Sequence, residues 1–516
     1  MRKSWYVATL MAAAVSMGVT GCSNSKDSGT TSGETQAQGT ENTIEKPEKI
    51  TIMVNGNFVT KTNGQEEWID RWEGLTGIEL EVIQPDHDAY YDVLGQTVAT
   101  GTENWPDVIM TTESYYSGYA TEGVLWDMTD AWNKSDLKKS GRVTRPEVMD
   151  SLLIDGRLYG FAPEMSTGTM VYIKKAWLDR CGLDVPKTYD EYVEMLRAFT
   201  QGDPDGNGVN GDTFGLSAPG FIGPEAPITN YLAEFYQDGY PTFYQKEDGT
   251  WVDGFTEDAM WDAVERIRDV YEAGYLDRET LTNGTSDCRN KFFEDKYGAF
   301  SYWAGTWASR LSDSLIANGH DGELVVMEPI EELGAWMNRV PTAYCITSGC
   351  KNPEGVFKYF IEPILDGGDM QTLWSYGVEG IHWSTQAETV LGVTYQDGEF
   401  HMKESLSTPD TLYTKGVIDP MKTIAKYVDD KDPGKDSFDP RAKESLDIFM
   451  EHTTPAPNSI STKEMAQYNG DLMTLKRSIV ADCIMSGMSV EEAKARFEEE
   501  QGAYWSKLIV DSLNAK

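Results

Sequence analysis

The sequence predicts an α/β protein built as about two lobes, and three observations carry this. The chain has 516 residues, beyond the roughly 250–300 at which a single core stops growing. Its composition, 40% hydrophobic, 11% aromatic and 25% charged, is that of a globular chain, neither disordered nor framed by disulfides. Short β-rich runs alternate with segments of helical periodicity, the pattern of helices packed on sheets. Charge narrows the partners. With 84 Asp+Glu against 44 Lys+Arg the formal net charge is −40, which repels phosphate backbones and anionic headgroups, so no nucleic-acid partner and no basic membrane contact is expected.

The first residues are not part of the fold. Arg2 and Lys3 open a basic segment, Trp5 to Val19 is apolar but short for a bilayer span, and Val19-Thr20-Gly21-Cys22 puts small residues before a cysteine. The segment resembles a bacterial lipoprotein signal peptide (residues 1–21) with its lipobox. That resemblance implies cleavage before Cys22 and lipid, palmitate included, on that residue. The mature chain would keep 42 basic against 84 acidic residues, held at the extracellular face of the cell membrane by lipid alone. Ser23 to Glu45 is mostly Ser, Thr, Gly, Gln and Glu; it cannot bury enough surface to offset chain entropy, so residues 22–46 are expected to be a tether.

Order is expected from Lys49, where Ile50 to Val54 makes a buried strand ending in the Asn55-Gly56 turn. Gln65 to Leu75 brings Trp68, Ile69, Trp72 and Leu75 to one helical face. Ile78 to Ile83 and Pro106 to Met110 are strands with a helix over Ala89 to Gly101 between them. Thr188 to Glu191 forms a capping box, and Val193, Leu196 and Phe199 continue the helix it opens. Further helices are expected at Glu257 to Ala273, Ser309 to Ala317, Pro353 to Leu365, Asp471 to Ser486 and Val490 to Phe497, the last behind a second box at Ser489 and Glu492. Strands recur at Tyr297 to Tyr302, Leu324 to Glu328 and Tyr344 to Thr347. No fixed-period repeat is visible, which disfavours a solenoid or propeller.

One loop carries metal chemistry. In Asp203-Pro204-Asp205-Gly206-Asn207-Gly208-Val209-Asn210-Gly211-Asp212, oxygen-bearing side chains stand at positions one, three and five with Gly at six, the arrangement that turns hard ligands inward toward Ca²⁺. Asp203, Asp205 and Asn207 are expected to ligate by side chain, Val209 by its carbonyl, and Asp212 as the closing carboxylate. Position twelve is Phe214, where an EF-hand has Glu, and a solvated Asp/Asn/Gly turn without metal has the same residue types. The Gly206-x-Gly208-x-x-Gly211 spacing is no dinucleotide fingerprint, because it follows a helix and is flanked by carboxylates that would repel a pyrophosphate. Catalytic spacing is missing: there is no H-E-x-x-H, G-x-S-x-G or G-x-x-x-x-G-K-[ST], and the five His are scattered. Past Cys22 the cysteines are Cys181, Cys288, Cys345, Cys350 and Cys483, without zinc or C-x-x-C spacing. They are expected as small core residues, with a Cys345–Cys350 bridge permitted but not required.

The aromatic load, 15 Trp and 26 Tyr, says more. A sugar ring has an apolar C–H face and a rim of hydroxyls, so its site pairs flat rings with polar side chains. Trp303 and Trp307 lie where a strand ends and a helix begins, where α/β sheets hold ligands. Trp374, Glu379 and Trp383 form a second, glycine-punctuated cluster; Tyr115 and Tyr116 follow one strand, Asn55 and Asn57 another, and Glu164 borders the expected junction of the lobes. These are the candidate ligand contacts, each with core packing as its alternative.

Several phrases in order, Trp105-Pro106-Asp107-Val108, Asp155-Gly156-Arg157-Leu158-Tyr159-Gly160, Val185-Pro186-Lys187-Thr188, Tyr297-Gly298-Ala299-Phe300, Lys351-Asn352-Pro353-Glu354 and Tyr376-Gly377-Val378-Glu379-Gly380, are similar to the extracellular solute-binding proteins that feed sugars to ABC importers, in particular their large lipoprotein branch. The resemblance runs from about residue 49 to the C-terminus. It implies a two-lobed periplasmic-binding-protein-like fold with a hinge and an interlobe cleft. By analogy one lobe would be residues 47–164 plus 296–343 and the other 165–295 plus 344–516. It further implies a structural Ca²⁺ in a loop that closes at positions nine and ten, although position nine here is Gly211. Its functional implication is an oligosaccharide ligand, delivery to ABC permease subunits, a monomer, and no enzymatic step. A surface glycoside hydrolase and an adhesion lipoprotein are the rival classes.

Overall fold

The computed structural model describes residues 44–56, 58–86, 89–222, 230–390, 393–403, 417–454 and 462–515; the lipidation candidate Cys22 and the ligand candidate Asn57 lie outside them. The β-branched run at Lys49–Met53 forms a strand at the heart of a four-stranded sheet. It pairs in parallel with Glu79–Ile83 on one side (Ile50 opposite Leu80) and with Val108–Thr111 on the other (Ile52 opposite Val108). Ala343–Ile346 closes the far edge antiparallel, Cys345 opposite Ile109. Ile50 and Ile52, two residues apart, are fully buried, as strand alternation requires. The helix Gln65–Thr76 buries Trp68 and Trp72, four residues apart, as one stripe, and stops at Gly77, which takes the left-handed conformation that glycine allows.

A second sheet has the order Leu324–Met327, Thr169–Lys174, Tyr297–Trp303, Phe214–Leu216. Every residue of Thr169–Lys174 is buried, and this strand runs antiparallel to both neighbours. Helices Tyr189–Gln201, Asp258–Glu272 and Lys463–Met485 contribute to the same core. Both expected capping boxes form, at Thr188 with Glu191 and at Ser489 with Glu492. Gly298 lets a helix approach: a Cβ there would stand 2.4 Å from the Phe199 ring. All five cysteines of the described residues are free, so no Cys345–Cys350 bridge is present. No helix among the described residues is long and apolar enough to cross a membrane.

The buried side chains fall into two cores. One runs from Ile50 to Met165, resumes from Ala343 to Trp374, and takes in Ile418, Ile424, Ala425 and Leu446. The other spans Met170 to Trp336 and resumes from Phe449 to Leu513. This corrects the expected division after residue 295. Tyr297–Trp303 does not join the first lobe, because it pairs with Thr169–Lys174 in the second sheet; the segment from Ala343 onward does not join the second, because it supplies the first sheet's edge strand and much of that core. The chain therefore crosses between cores three times: at Met165–Met170, at Trp336–Ala343, and along the helix Pro440–His452, which places Leu446 in one core and Phe449 in the other. The crossings touch. Trp336–Met337 pairs in parallel with Thr453–Thr454, and a Cβ on Gly168 would lie 2.3 Å from the Met337 carbonyl oxygen.

Candidate ligand cleft

Strand ends from both sheets open onto one cavity of ≈ 2340 Å³. Asn55 follows the strand Lys49–Met53, Thr112 and Tyr115 follow Val108–Thr111, and Trp303 ends the second sheet's Tyr297–Trp303, with Trp307 opening the next helix. Carboxyl ends of strands leave room for ligands because the following loops diverge there. On the first-lobe wall Tyr91 and Tyr115 stack at 4.0 Å and 11°. On the second-lobe wall the Trp307 and Tyr302 rings meet nearly at right angles, centroids 4.7 Å apart. Arg310 and Arg289 lie 5.2 and 5.5 Å over Trp307, and Arg339 4.9 Å over Trp303. Met465, Asn469, Met473 and Arg477, spaced by four along one helix, add another face. A hairpin of Glu388–Val390 and Val393–Tyr395, followed by Phe400 and His401, lines the rim. There His401 stacks on Tyr395 at 4.3 Å and meets Glu388 at 2.8 Å, a hydrogen bond that holds the Glu388 carboxyl below its ordinary range.

At the cavity wall Glu164 accepts from the Asp419 amide at 2.5 Å and sits 3.5 Å from the Lys422 ammonium. Asp419 in turn accepts from the Thr306 hydroxyl at 2.8 Å, linking the two lobes. Burial raises the Glu164 carboxyl above its usual range, Lys422 pulling against it and Asp419 adding to it. Lys422 is also raised, since its two acidic neighbours outweigh its desolvation. One ammonium near two carboxylates leaves the ammonium stabilised and Glu164 short of compensation.

Among the sequence candidates, the cavity brings together Trp303, Trp307, Tyr115 and Glu164. Tyr116 is instead in the first core, its hydroxyl donating to the Leu152 carbonyl at 2.7 Å. Trp374 is fully buried there, edge-on to Trp68 at 5.1 Å, because Asp369–Tyr376 is a helix whose inner face carries it. Trp383 is buried behind the lining, its indole N–H donating to the Gly377 carbonyl and its ring against Phe400. Glu379 is exposed and not part of the lining. The three arginines over the indoles were not anticipated; the one signal for them in sequence is Arg310 three residues after Trp307, on the same helical face.

The acidic loop is ordered by its own side chains. The Asn207 amide nitrogen bridges Asp205 and Asp212, each at 2.8 Å, and Asp203 accepts from the Gly208 amide at 3.0 Å. The other Asp203 oxygen is buried without a hydrogen-bond partner. Burial, with Asp203 and Asp212 nearby, raises the Asp205 carboxyl. Among the described residues, no group of three or more His, Cys, Asp and Glu side chains has the geometry of a formed metal site.

A family model described as bacterial extracellular solute-binding protein matches residues 67–366. Lipoprotein LipO of Bacillus subtilis is 24% identical over 320 residues, 61% of this chain and 59% of LipO, so the chain aligns with less than two thirds of that relative. Among solved structures, the substrate-binding protein FusA of S. pneumoniae in complex with kestose matches with TM-score 0.62 and 19% identity, covering 91% of this chain and all of that one. The alginate-binding protein AlgQ2, solved without calcium ion, matches with TM-score 0.64 and 18% identity over 91% of this chain and 98% of its own. These neighbours are two-lobed solute-binding proteins, and at this identity the likeness is one of fold.

Proposed function

Because the chain belongs to the family of bacterial extracellular solute-binding proteins, we propose that it captures an oligosaccharide in the cleft between its lobes and hands it, unchanged, to an ABC permease. The observation that carries this is the cavity of ≈ 2340 Å³ lined by residues of both cores. It exceeds the roughly 300–1,000 Å³ typical of a small-molecule pocket. Tyr115, Trp303, Trp307 and Glu164 would contact the sugar. Three crossings between cores supply a hinge, and closure would bury the ligand on both sides. Cys22 would carry the lipid and the protein would act as a monomer.

Thermal melting of the mature protein against a panel of oligosaccharides tests the reading. A true ligand at about a hundredfold its Kd should stabilise by about 2.7 kcal/mol, saturably. Release of shortened glycans into the solution would make the protein a hydrolase, and a flat panel would leave only an adhesion role.

The loop Asp203 to Asp212 is proposed as a structural Ca²⁺ site. The partnerless Asp203 oxygen and the carboxylates of Asp205 and Asp212, bridged by one amide nitrogen where a cation would sit, form a hard-oxygen donor set that fits it. Asn207 would turn its amide oxygen inward and Val209 would offer its carbonyl. The ion's two positive charges would offset most of the repulsion among three neighbouring acids. Metal analysis of the purified protein should find about one Ca²⁺ per chain, and chelation should lower the melting temperature; a metal-free protein whose melting ignores both chelator and added Ca²⁺ refutes the assignment.

A further inference from the structure

We infer that Ser445, on the helix that crosses between the lobes, is a positioning residue for the ligand: it sets the indoles of Trp303 and Trp307 by closing a hydrogen-bond chain around the loop that joins them. The inference rests on the oligosaccharide reading above and names what holds the aromatic platform of that site in place.

The first support is the chain of bonds. Trp303 ends the strand Tyr297–Trp303 and Trp307 opens the helix Trp307–Ala317, so Ala304, Gly305 and Thr306 alone separate the two rings in sequence. The Gly305 amide donates to the Ser445 hydroxyl at 2.9 Å, that hydroxyl lies 2.7 Å from the Tyr172 hydroxyl, and Tyr172 donates to the Trp303 carbonyl at 2.9 Å. The two ends fix the direction. An amide can only donate and a carbonyl only accept, so Tyr172 spends its one proton on Trp303 and Ser445 donates to the Tyr172 oxygen. The Met170 thioether, 3.2 Å from Ser445, is a weaker acceptor for the same proton. Ser445 and Tyr172 are both fully buried, and bonds aligned head to tail in such surroundings strengthen one another. Two side chains from outside the loop thus close its backbone into a ring.

The second support is where Ser445 stands. Its helix, Pro440–His452, places Leu446 in one core and Phe449 in the other. Arg441, four residues earlier and on the same face, donates to Ser312 at 2.7 Å and to Asp313 at 2.9 Å, both on the helix that Trp307 opens. This crossing therefore grips the platform twice, once at the loop and once at the helix. The other neighbours of the loop also belong to crossings or to the opposite lobe: the Ala304 amide donates to the Gly168 carbonyl at 3.0 Å, and the Thr306 hydroxyl donates to Asp419 at 2.8 Å. A turn of the hinge helix is passed to both indoles through these bonds, so lobe closure and ring placement are one motion. Being fully buried, Ser445 acts on a ligand through the rings and not by touching it.

Calorimetry on the mature full-length protein tests this with tetramers of glucose, xylose, fructose and galacturonate, the tightest binder serving as probe. Ser445→Ala should weaken its binding about tenfold, and Tyr172→Phe to a similar degree. The double variant should bind no weaker than either alone, because both substitutions break one chain. Phe497→Leu loosens the same core, where its ring meets Phe255, without lining the cavity. It should lower the melting temperature yet keep Kd within about twofold. Should Ser445→Ala fail to fold, Tyr172→Phe compared with Phe497→Leu decides the matter. Lowered melting in Ser445→Ala and Tyr172→Phe with Kd unchanged within about twofold would make the chain a structural staple, which overturns the inference and leaves oligosaccharide capture standing. Losses that add in the double variant overturn the shared chain. A wild type that binds none of the tetramers removes both the inference and the reading beneath it.

Discussion

Asp277 shows how one side chain fixes the second lobe. Its carboxylate is buried just past the strand Phe214–Leu216, to whose end Leu276 is bridged. It accepts from Ser217, Asn283 and Lys291, each at 2.8 Å, and from the Glu279 amide at 3.0 Å. Burial pushes this carboxyl up, but Lys291 and the other donors outweigh it and hold the group below its usual 3.8. An acid with a depressed folded-state pKa stabilises the fold above its unfolded value and loses that contribution as pH falls through the folded one. Asp277→Asn is therefore expected to cost about 2–3 kcal/mol near neutral pH. Denaturant unfolding should show the gap between wild type and variant narrowing as pH falls below 3.8; a gap that stays constant with pH would mean that the charge is immaterial. Glu164, raised by burial, works in the opposite sense and favours the fold less as pH rises above 4.5. Neither effect was legible in the sequence, since Asp277 meets Ser217 and Lys291 only after folding.

At the scale of elements the glycines separate packing from propensity. Gly168 sits where crossings meet, and a Cβ there would stand 2.3 Å from the Met337 carbonyl and 3.0 Å from the Phe449 ring. Backbone cannot yield as a flexible side chain can, so Gly168→Ala should destabilise by about 1–3 kcal/mol. Gly74 lies inside the helix Gln65–Thr76 with nothing within 4 Å of where a Cβ would stand, so Gly74→Ala should stabilise by up to about 1 kcal/mol. Thermal melting of the two variants checks both signs, and a rise for Gly168→Ala would show that the crossings tolerate separation. Most strands of the two sheets were legible because β-branched runs are bounded by turn residues. The strand Thr169–Lys174 was not: its apolar core, Met170 to Ile173, is too short for periodicity to declare itself. The helix Pro440–His452 did carry a signal, an Asp439 cap before Pro440, which the expected element order passed over. Lys463–Met485 begins earlier than expected because Asn469-Gly470 looks like a break but is carried within the helix.

For the whole molecule, the two-lobed α/β architecture was foreshadowed by length, alternation and family phrases, whereas the membership of each lobe was not. Which sheet takes Tyr297–Trp303 depends on pairing with a strand more than a hundred residues earlier, information that no local pattern holds. The site divides the same way. Tyr115, Trp303 and Trp307 were legible as cavity-lining residues because strand ends face a cleft in this fold class, but Trp374 and Trp383 carry the same sequence signal and are buried. The arginines over the indoles belong to three separate segments and become a group only in three dimensions.

The first sheet is also interrupted in sequence. Its edge strand Ala343–Ile346 is synthesised only after all four strands of the second sheet, the last of which ends at Met327. On a growing polypeptide the later sheet can thus be complete while the earlier one still lacks its outer rung, exposing the Val108–Thr111 margin to mispairing until translation has moved on.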